Sequence, residues 1–207
     1  MIETCAARWF TGRMPARVSA ATRERLLTAA ERLLLTERYD DVSVRRICTE
    51  AGVNPAAVHY HFGSKEALVA ALLEERLGAL WADRLAEVTA VAGPVADIVD
   101  AVLTPFADLT ADPLGRLHLR LLAQFVIDRQ VGPGPWQQQW FRIDSWADLL
   151  PQVGERESRR RWMLAFDLII MRFGRAAAEE RALSPEAVAT LRAFVVAGLT
   201  APTGEIS

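Results

Sequence analysis

The sequence predicts an all-α protein with a small N-terminal three-helix unit and a larger helical C-terminal part. Apolar residues recur at the three- and four-residue spacing of amphipathic helices along most of the chain. Alternating β-branched residues, which indicate strands, are nearly missing. The 207 residues, 51% of them hydrophobic, suffice for one or two modest helical domains.

The N-terminal unit begins with two predicted helices. A stripe of leucines and alanines indicates a first helix over about residues 20–38. Ser43 is a favoured N-cap for a second helix, and Gly52 ends that helix because glycine accepts the left-handed conformation. Cys48 falls on the apolar face of this second helix, where we expect a small buried thiol.

Residues 52–68, GVNPAAVHYHFGSKEAL, are the most informative segment of the chain. Asn54-Pro55 is a helix-start signal, Phe62-Gly63 is a stop signal, and Ser64-Lys65-Glu66 starts the next helix. The helix over 54–61 is too short to build a core, but its size suits the major groove of DNA.

Lys65 is the only lysine in the chain. It stands at the predicted start of the fourth helix, where backbone amides and a flexible ammonium can together bind a phosphate. We expect a phosphate contact, with a simple solvated side chain as the alternative.

The rest of the chain is predicted to be helical as well. Pro105 is expected to kink or shorten the helix that contains it, and the Gly-Pro-Gly-Pro run at 132–135 is expected to be a loop. The helices are predicted to cover 64–90, 95–109, a segment opened by Asp112-Pro113, 136–149, 157–179 and 185–199.

The charge distribution suits a protein that meets DNA at one end. The net charge is only −2, but the first 25 residues hold five arginines against two glutamates. Two cysteines, Cys5 and Cys48, do not form a disulfide framework. No apolar run is long enough to cross a bilayer and no signal-peptide stretch is present, so we expect a soluble cytoplasmic protein.

Metal and enzyme chemistry have little support in the sequence. His59 and His61 are two residues apart and therefore point to different sides of a helix. There is no nucleophile elbow, phosphate-binding glycine loop or His-Glu-x-x-His helix. We expect no catalytic residues, no metal and no cofactor.

The segments VSVRRICTEAGVN (42–54) and YHFGSKEAL (60–68) resemble the helix-turn-helix signature of the TetR family of bacterial repressors. The resemblance covers about residues 20–70. Cys48 stands where family members usually have alanine, which is a modest departure. The wording of VNPAAVHYHFGSKEAL is most similar to the branch that contains the fatty-acid-responsive regulator PsrA.

The resemblance implies a homodimer that binds a palindromic double-stranded DNA operator through its N-terminal helices. It divides the chain into a basic arm at 1–19, a helix-turn-helix DNA-binding domain at 20–66, and a ligand-binding and dimerisation domain at 67–207. Asn54 and His59 are expected to discriminate bases, while His61 is either a DNA contact or a packed histidine. The full set of expected DNA-binding residues is Arg17, Arg23, Ser43, Val44, Arg45, Asn54, Ala56, Ala57, His59, Tyr60, His61 and Lys65.

The aromatic-rich helices between 95 and 173, together with the PsrA-like wording, predict a small, largely apolar effector, such as a fatty-acyl-like compound, that releases the repressor from DNA. His118 could be a polar anchor or a core histidine, and Arg120 or Arg172 could pair with an acidic head group. The pocket candidates, each also explicable as core, are Phe106, His118, Leu122, Phe125, Trp140, Phe141, Trp146, Phe166 and Ile170. The alternative function is a helical small-molecule-binding protein or enzyme that keeps the fold without specific DNA recognition.

Overall fold

The structure, a computed structural model, describes residues 16–90, 93–128 and 141–202. This part of the chain is helical and has no strand. Short 3₁₀ helices cover Tyr39–Asp41 and Ile143–Leu149. The α-helices are α1 (Ala16–Thr36), α2 (Val44–Ala51), α3 (Ala56–His61), α4 (Lys65–Ala90), α5 (Val95–Leu109), α6 (Pro113–Asp128), α7 (Glu155–Ala178) and α8 (Pro185–Thr200).

Helices α1 to α3 pack against the start of α4 around a small apolar core. Its fully buried side chains include Leu26 and Leu27 of α1, Ile47 of α2, Val58 of α3 and Leu68 of α4. Every element contributes to one cluster, so burial of this apolar surface stabilises the unit. Residues 16–19, predicted as the end of the arm, instead form the first turn of α1.

Helix α4 extends from the N-terminal unit into the C-terminal part. Leu68 and Leu72 lie in the core near its start, whereas Trp81 and Leu85 are buried further along. The Trp81 indole donates a hydrogen bond to the Val102 carbonyl of α5 at 3.0 Å. A movement of α4 would therefore change the packing in both parts of the molecule.

Helices α5 to α8 form the C-terminal bundle. Gly174 of α7 allows a close approach to α6, since a Cβ built there would lie 2.3 Å from the Cβ of Ala123. Asp100 of α5 accepts two hydrogen bonds from Arg192 of α8, at 2.5 and 2.7 Å. None of the described helices is long and apolar enough to span a bilayer.

Two expectations for this bundle need correction. Helix α5 has the predicted bounds and runs four residues past Pro105, so the proline does not shorten it. The predicted helix 136–149 is instead a 3₁₀ helix over Ile143–Leu149, while residues 136–140 and the loop at 132–135 lie outside the described residues.

A polar cluster around the buried His118 joins the two parts of the molecule. Nε2 of His118 on α6 lies 2.8 Å from the carboxylate of Glu31 on α1. Arg76 of α4 contacts the same carboxylate at 3.4 Å and Glu24 of α1 at 2.6 Å. Burial alone would raise the pKa of Glu31, but the His118 hydrogen bond and the Arg76 guanidinium together lower it.

Candidate DNA-binding face and effector pocket

The turn between α2 and α3 is formed by helix caps that the sequence predicts. Ser43 Oγ accepts a hydrogen bond from the Arg46 amide at 3.2 Å, which starts α2. Gly52 ends α2 with a φ of 62°, the left-handed conformation that glycine adopts without strain. Asn54 Oδ1 then accepts a hydrogen bond from the Ala56 amide at 2.9 Å. These contacts confirm the predicted caps and fix α3 relative to α2.

Helix α3 has one buried residue and an exposed face. Val58 is completely buried and ties the helix to the core. Around it, Asn54, Ala56, His59 and Tyr60 are exposed, and the Tyr60 side chain is 69% exposed. Ser43 and Arg45 of the α2 region are exposed too. We call Ser43, Arg45, Asn54, Ala56, His59 and Tyr60 the α2–α3 face.

Two side chains of this face have a defined hydrogen-bonding polarity. His59 Nδ1 lies 3.0 Å from the Gly63 carbonyl, so Nδ1 carries the hydrogen and a neutral ring leaves Nε2 as an acceptor. The Asn54 oxygen is used as a cap, which leaves its amide group with two outward donors. The face therefore offers an acceptor at His59 and donors at Asn54.

Lys65 is not the free cation that the sequence suggested. Its ammonium donates hydrogen bonds to the carbonyls of Tyr39 and Val42, at 2.7 and 2.9 Å. It also lies 4.0 Å from the centre of the Tyr39 ring. Lys65 therefore holds the 3₁₀ turn against the start of α4, and one remaining N–H is all that it can offer to a phosphate.

Other expected DNA-binding residues are partly used inside the protein. Arg23 forms an ion pair with Glu75 and lies over the Phe62 ring. Val44 and Ala57 are half-buried and pack against the core. The side chain of Arg17 lies outside the described residues.

His61 has the surroundings of a packed histidine. Its ring is 5.0 Å from that of Tyr60 and 6.2 Å from that of Phe62. Burial, and then the nearby Arg23 guanidinium, lower its pKa. The ring is half-buried, so it packs against its neighbours while a contact with DNA stays a prediction.

Cys48 has the environment expected of a structural thiol. It is completely buried, and burial raises its pKa. Cys5 lies outside the described residues.

A second candidate site is a largely apolar cavity of about 200 Å³ in the C-terminal bundle. Helix α7 lines it with residues spaced three and four apart, which face one side of the helix. The lining residues are Trp81, Leu85, Val102, Phe106, Leu122, Phe141, Ile143, Trp146, Met163, Phe166, Asp167 and Ile170.

The N-terminal helices match a known family. Residues 26–72 match the model of the family described as "Bacterial regulatory proteins, tetR family". The likeness to the tetR family is thus shown for a domain over residues 26–72.

Curated relatives match the same region. The regulator BetI of Rhizobium meliloti is 39% identical over 72 residues, 35% of this chain and 36% of that protein. The regulator UidR of Escherichia coli is 35% identical over 52 residues, 25% of this chain and 26% of that protein. The matched region thus spans about a third or less of these relatives, which are named as transcriptional regulators rather than enzymes.

Solved structures extend the likeness to the whole fold. The crystal structure of native NalD, the secondary repressor of the MexAB-OprM multidrug efflux pump in Pseudomonas aeruginosa, has a TM-score of 0.59 and 21% sequence identity. The likeness covers 90% of this chain and 100% of that chain. A second NalD structure has a TM-score of 0.56 and 22% identity. The all-α architecture, a tetR-type domain followed by a helical domain, is therefore confirmed.

The cavity contains most of the expected pocket residues and several that the sequence did not single out. Of the candidates, Phe106, Leu122, Phe141, Trp146, Phe166 and Ile170 line it, whereas Trp140 lies outside the described residues. Trp81 and Asp167 are the most informative additions. Asp167 follows Met163 and Phe166 at helical spacing, a pattern that becomes visible only once the inward face of α7 is known.

Two pocket candidates lie elsewhere, at the boundary between the tetR-type domain and the bundle. His118 is bonded to Glu31, and the Phe125 ring packs edge-on against that of Tyr39 at 6.0 Å. Arg120 and Arg172 do not line the cavity either. An anchoring of an acidic head group by His118 or an arginine therefore has no support at this cavity and stays a prediction.

An apolar surface remains exposed on the last two helices. Leu164 on α7 and Phe194 on α8 are each 69% exposed, and Met163 and Met171 of α7 are also exposed. Val195, the neighbour of Phe194, is buried inside the subunit.

Proposed function

We propose that this protein is a ligand-responsive transcriptional regulator, a repressor that binds a palindromic DNA operator as a homodimer. The observation that carries the proposal is the α2–α3 face on a tetR-type domain. This two-turn helix is anchored to the core by Val58 and presents exposed polar groups on its opposite side. Its dimensions suit the major groove.

We expect some residues of the α2–α3 face to contact phosphates and others to contact bases. The Ser43 hydroxyl can donate to a phosphate while its oxygen caps α2, and Arg45 is exposed beside it. The His59 acceptor matches the amino groups of adenine or cytosine, and the Asn54 donors match acceptors on guanine or adenine. Ala56 suits a thymine methyl group. A phosphate contact by Lys65 stays a prediction, and only the third N–H of its ammonium is available for it.

The exposed apolar residues of α7 and α8 support a dimer through these helices. Two amphipathic helices from each subunit can form a four-helix interface around a two-fold axis. A dimer with this symmetry could insert its two copies of α3 into successive major grooves, which are about 34 Å apart. The operator would then have two-fold symmetry as well.

The apolar cavity supports a small effector, because burying hydrocarbon contributes about 0.8 kcal/mol per methylene. Trp81 and Leu85 of α4 line this cavity, while Leu68 and Leu72 of the same helix lie in the core near its start. An effector releases DNA only if it favours a conformation whose α3 helices no longer match the grooves. Helix α4 is the most direct connection for such a change.

Substitutions that preserve the caps provide the test. Asn54→Ser keeps a capping oxygen but removes the amide donors, and His59→Ala removes the acceptor. Each should lower affinity for the preferred operator by about 1–3 kcal/mol and leave affinity for unrelated DNA nearly unchanged. Thr36→Ala, at the far end of α1, is the control.

Fluorescence anisotropy with specific and scrambled duplexes measures both affinities. If both variants keep the wild-type ratio of specific to nonspecific binding, the α2–α3 face does not read bases. A protein that binds the cavity ligand but shows no DNA preference would support the small-molecule-binding alternative instead.

A further inference from the structure

The turn between α2 and α3 is bonded to α1 as well as to its own two helices. Nη2 of Arg25 on α1 donates hydrogen bonds to the carbonyl oxygens of Ala51 and Gly52, at 2.5 and 3.1 Å. This nitrogen carries two hydrogens, so each carbonyl receives one of them. The turn is therefore fixed to a helix that contributes no residue to the α2–α3 face.

The two carbonyls lie where a helix needs donors from outside. The last carbonyls of an α-helix have no amide partner within the helix, and α2 ends at Ala51. The residue four positions after Ala51 is Pro55, which has no N–H. The next amide, of Ala56, is already bonded to Asn54 Oδ1. Arg25 thus supplies donors that neither Pro55 nor Ala56 provides, and its positive charge is favoured at the C-terminus of α2 by the helix dipole.

The backbone of the turn leaves room for the guanidinium. A Cβ built on Gly52 would lie 3.0 Å from Nη2 of Arg25, which is too close for the side chain to stay where it is. Gly52 also has the left-handed φ of 62°. Glycine at this position therefore serves both the conformation of the turn and the approach of Arg25.

We infer that Arg25 is a positioning residue for base recognition, one that acts through the turn and does not itself contact DNA. The inference rests on the proposed function of the α2–α3 face. Asn54, whose amide donors are expected to meet base edges, comes two residues after Gly52. Val58 anchors α3 to the core, whereas Arg25 fixes the turn from which α3 starts. A turn released from α1 would move the Asn54 donors away from the bases.

The alternative role of an exposed arginine beside this face is a phosphate contact. Both hydrogens of Nη2 are used inside the protein, so a phosphate would have to bind the rest of the guanidinium or displace the two carbonyls. The two roles predict different effects on DNA binding. A phosphate contact strengthens binding to every sequence and adds about 0.9 to the salt slope, whereas a positioning residue affects only the preferred sequence.

Arg25→Met separates these roles, because it removes the donors and the charge but keeps a long side chain. Fluorescence anisotropy over a range of salt compares the duplex that the wild type enriches from a randomised pool with a scrambled duplex. Affinity for the enriched duplex should fall about tenfold, as for one lost base contact. Affinity for the scrambled duplex should change by less than about twofold, with the same salt slope.

Two further variants serve as controls. Arg25→Lys keeps a charged donor and should restore most of the preference, since the ammonium of Lys65 already bonds to two carbonyls in this protein. Arg32→Met makes the same charge change on α1, where Arg32 is paired with Glu50 of α2 at 3.6 Å and its side chain is 72% exposed. It should keep the wild-type preference. Circular dichroism verifies that each variant is folded.

Rotation of the guanidinium tests the contact in the wild-type protein without DNA. Nitrogen-15 NMR of the arginine side chains, with Arg25 assigned through Arg25→Lys, should show hindered rotation at Arg25 and faster rotation at Arg32. A freely rotating Arg25 guanidinium would overturn the inference even if Arg25→Met fails to fold.

The DNA measurements distinguish the inference from the proposed function. An Arg25→Met variant that keeps the wild-type ratio of specific to scrambled binding would overturn the inference alone. Equal losses of affinity for both duplexes, with a salt slope smaller by about one, would also overturn it, because they identify a phosphate contact. If the folded wild type enriches no duplex, the proposed function itself fails, and the inference fails with it.

Discussion

The Glu31–His118 contact is expected to be a main stabilising link between the tetR-type domain and the C-terminal bundle. The two side chains are only 13% and 5% exposed and their atoms are 2.8 Å apart. Glu31→Gln removes the charge while keeping nearly the same shape. In the variant, His118 loses its charged hydrogen-bond partner. Arg76 then faces a neutral amide instead of a carboxylate.

The magnitude follows from this geometry. Hydrogen bonds to charged groups contribute about 1.5–3 kcal/mol, against about 0.5–1.5 kcal/mol for neutral ones. Glu31→Gln should therefore lower the free energy of unfolding by about 1–3 kcal/mol at pH 7. For a chain of this size the midpoint of thermal unfolding should fall by about 2–4 °C per kcal/mol.

The difference should also depend on pH in a defined direction. The pKa of Glu31 is lowered in the folded protein, so its contribution is complete above the ordinary carboxyl value of about 4.3. The contribution is lost as the pH falls through the lower folded value. The wild type and Glu31→Gln should therefore converge in stability as the pH falls from about 5 towards 3.

Urea unfolding followed by circular dichroism measures both effects. Glu50→Gln is the matched control, because the Arg32–Glu50 pair is 3.6 Å apart and its side chains are 72% and 40% exposed. Such a pair contributes about 0.5 kcal/mol or less. A Glu31→Gln variant no less stable than Glu50→Gln at pH 7 would refute the reasoning.

Three further predictions concern the turn, the packing and the dimer. Lys65→Ala should lower the free energy of unfolding in urea by about 1–2 kcal/mol, because two carbonyls lose their hydrogen-bond donor. A variant as stable as the wild type would contradict this. If its affinity for operator DNA also depends less on salt, Lys65 contacts a phosphate as well. Gly174→Ala should destabilise by about 1–3 kcal/mol through overpacking against Ala123 of α6, and a wild-type thermal midpoint would refute the packing argument. Leu164→Asp and Phe194→Asp should sediment as folded monomers that have lost operator affinity, and dimers of both variants would place the interface elsewhere.

The sequence predicted those features that depend on neighbouring residues. The cap at Asn54 and the left-handed Gly63, with a φ of 84°, lie where local signals placed them. Most cavity aromatics were identified too, because apolar periodicity shows which face of a helix is buried.

Features that join distant segments could not be predicted in the same way. Lys65 bonds to carbonyls 23 and 26 residues away, and His118 bonds to Glu31 across 87 residues. Neither partner is marked by a local pattern. Asp167 reads as an ordinary surface carboxylate until the packing of α7 shows that it lines the cavity.

Selection of binding sites from a pool of randomised DNA duplexes tests the central claim most directly. The wild-type protein should enrich a two-fold symmetric sequence whose half-sites are about one helical turn apart, or a multiple of that distance. Phe194→Asp should enrich no symmetric site, because a monomer cannot fix the spacing of two half-sites. Recovery of no preferred sequence by the folded wild-type dimer would contradict the assignment of the α2–α3 face to operator recognition.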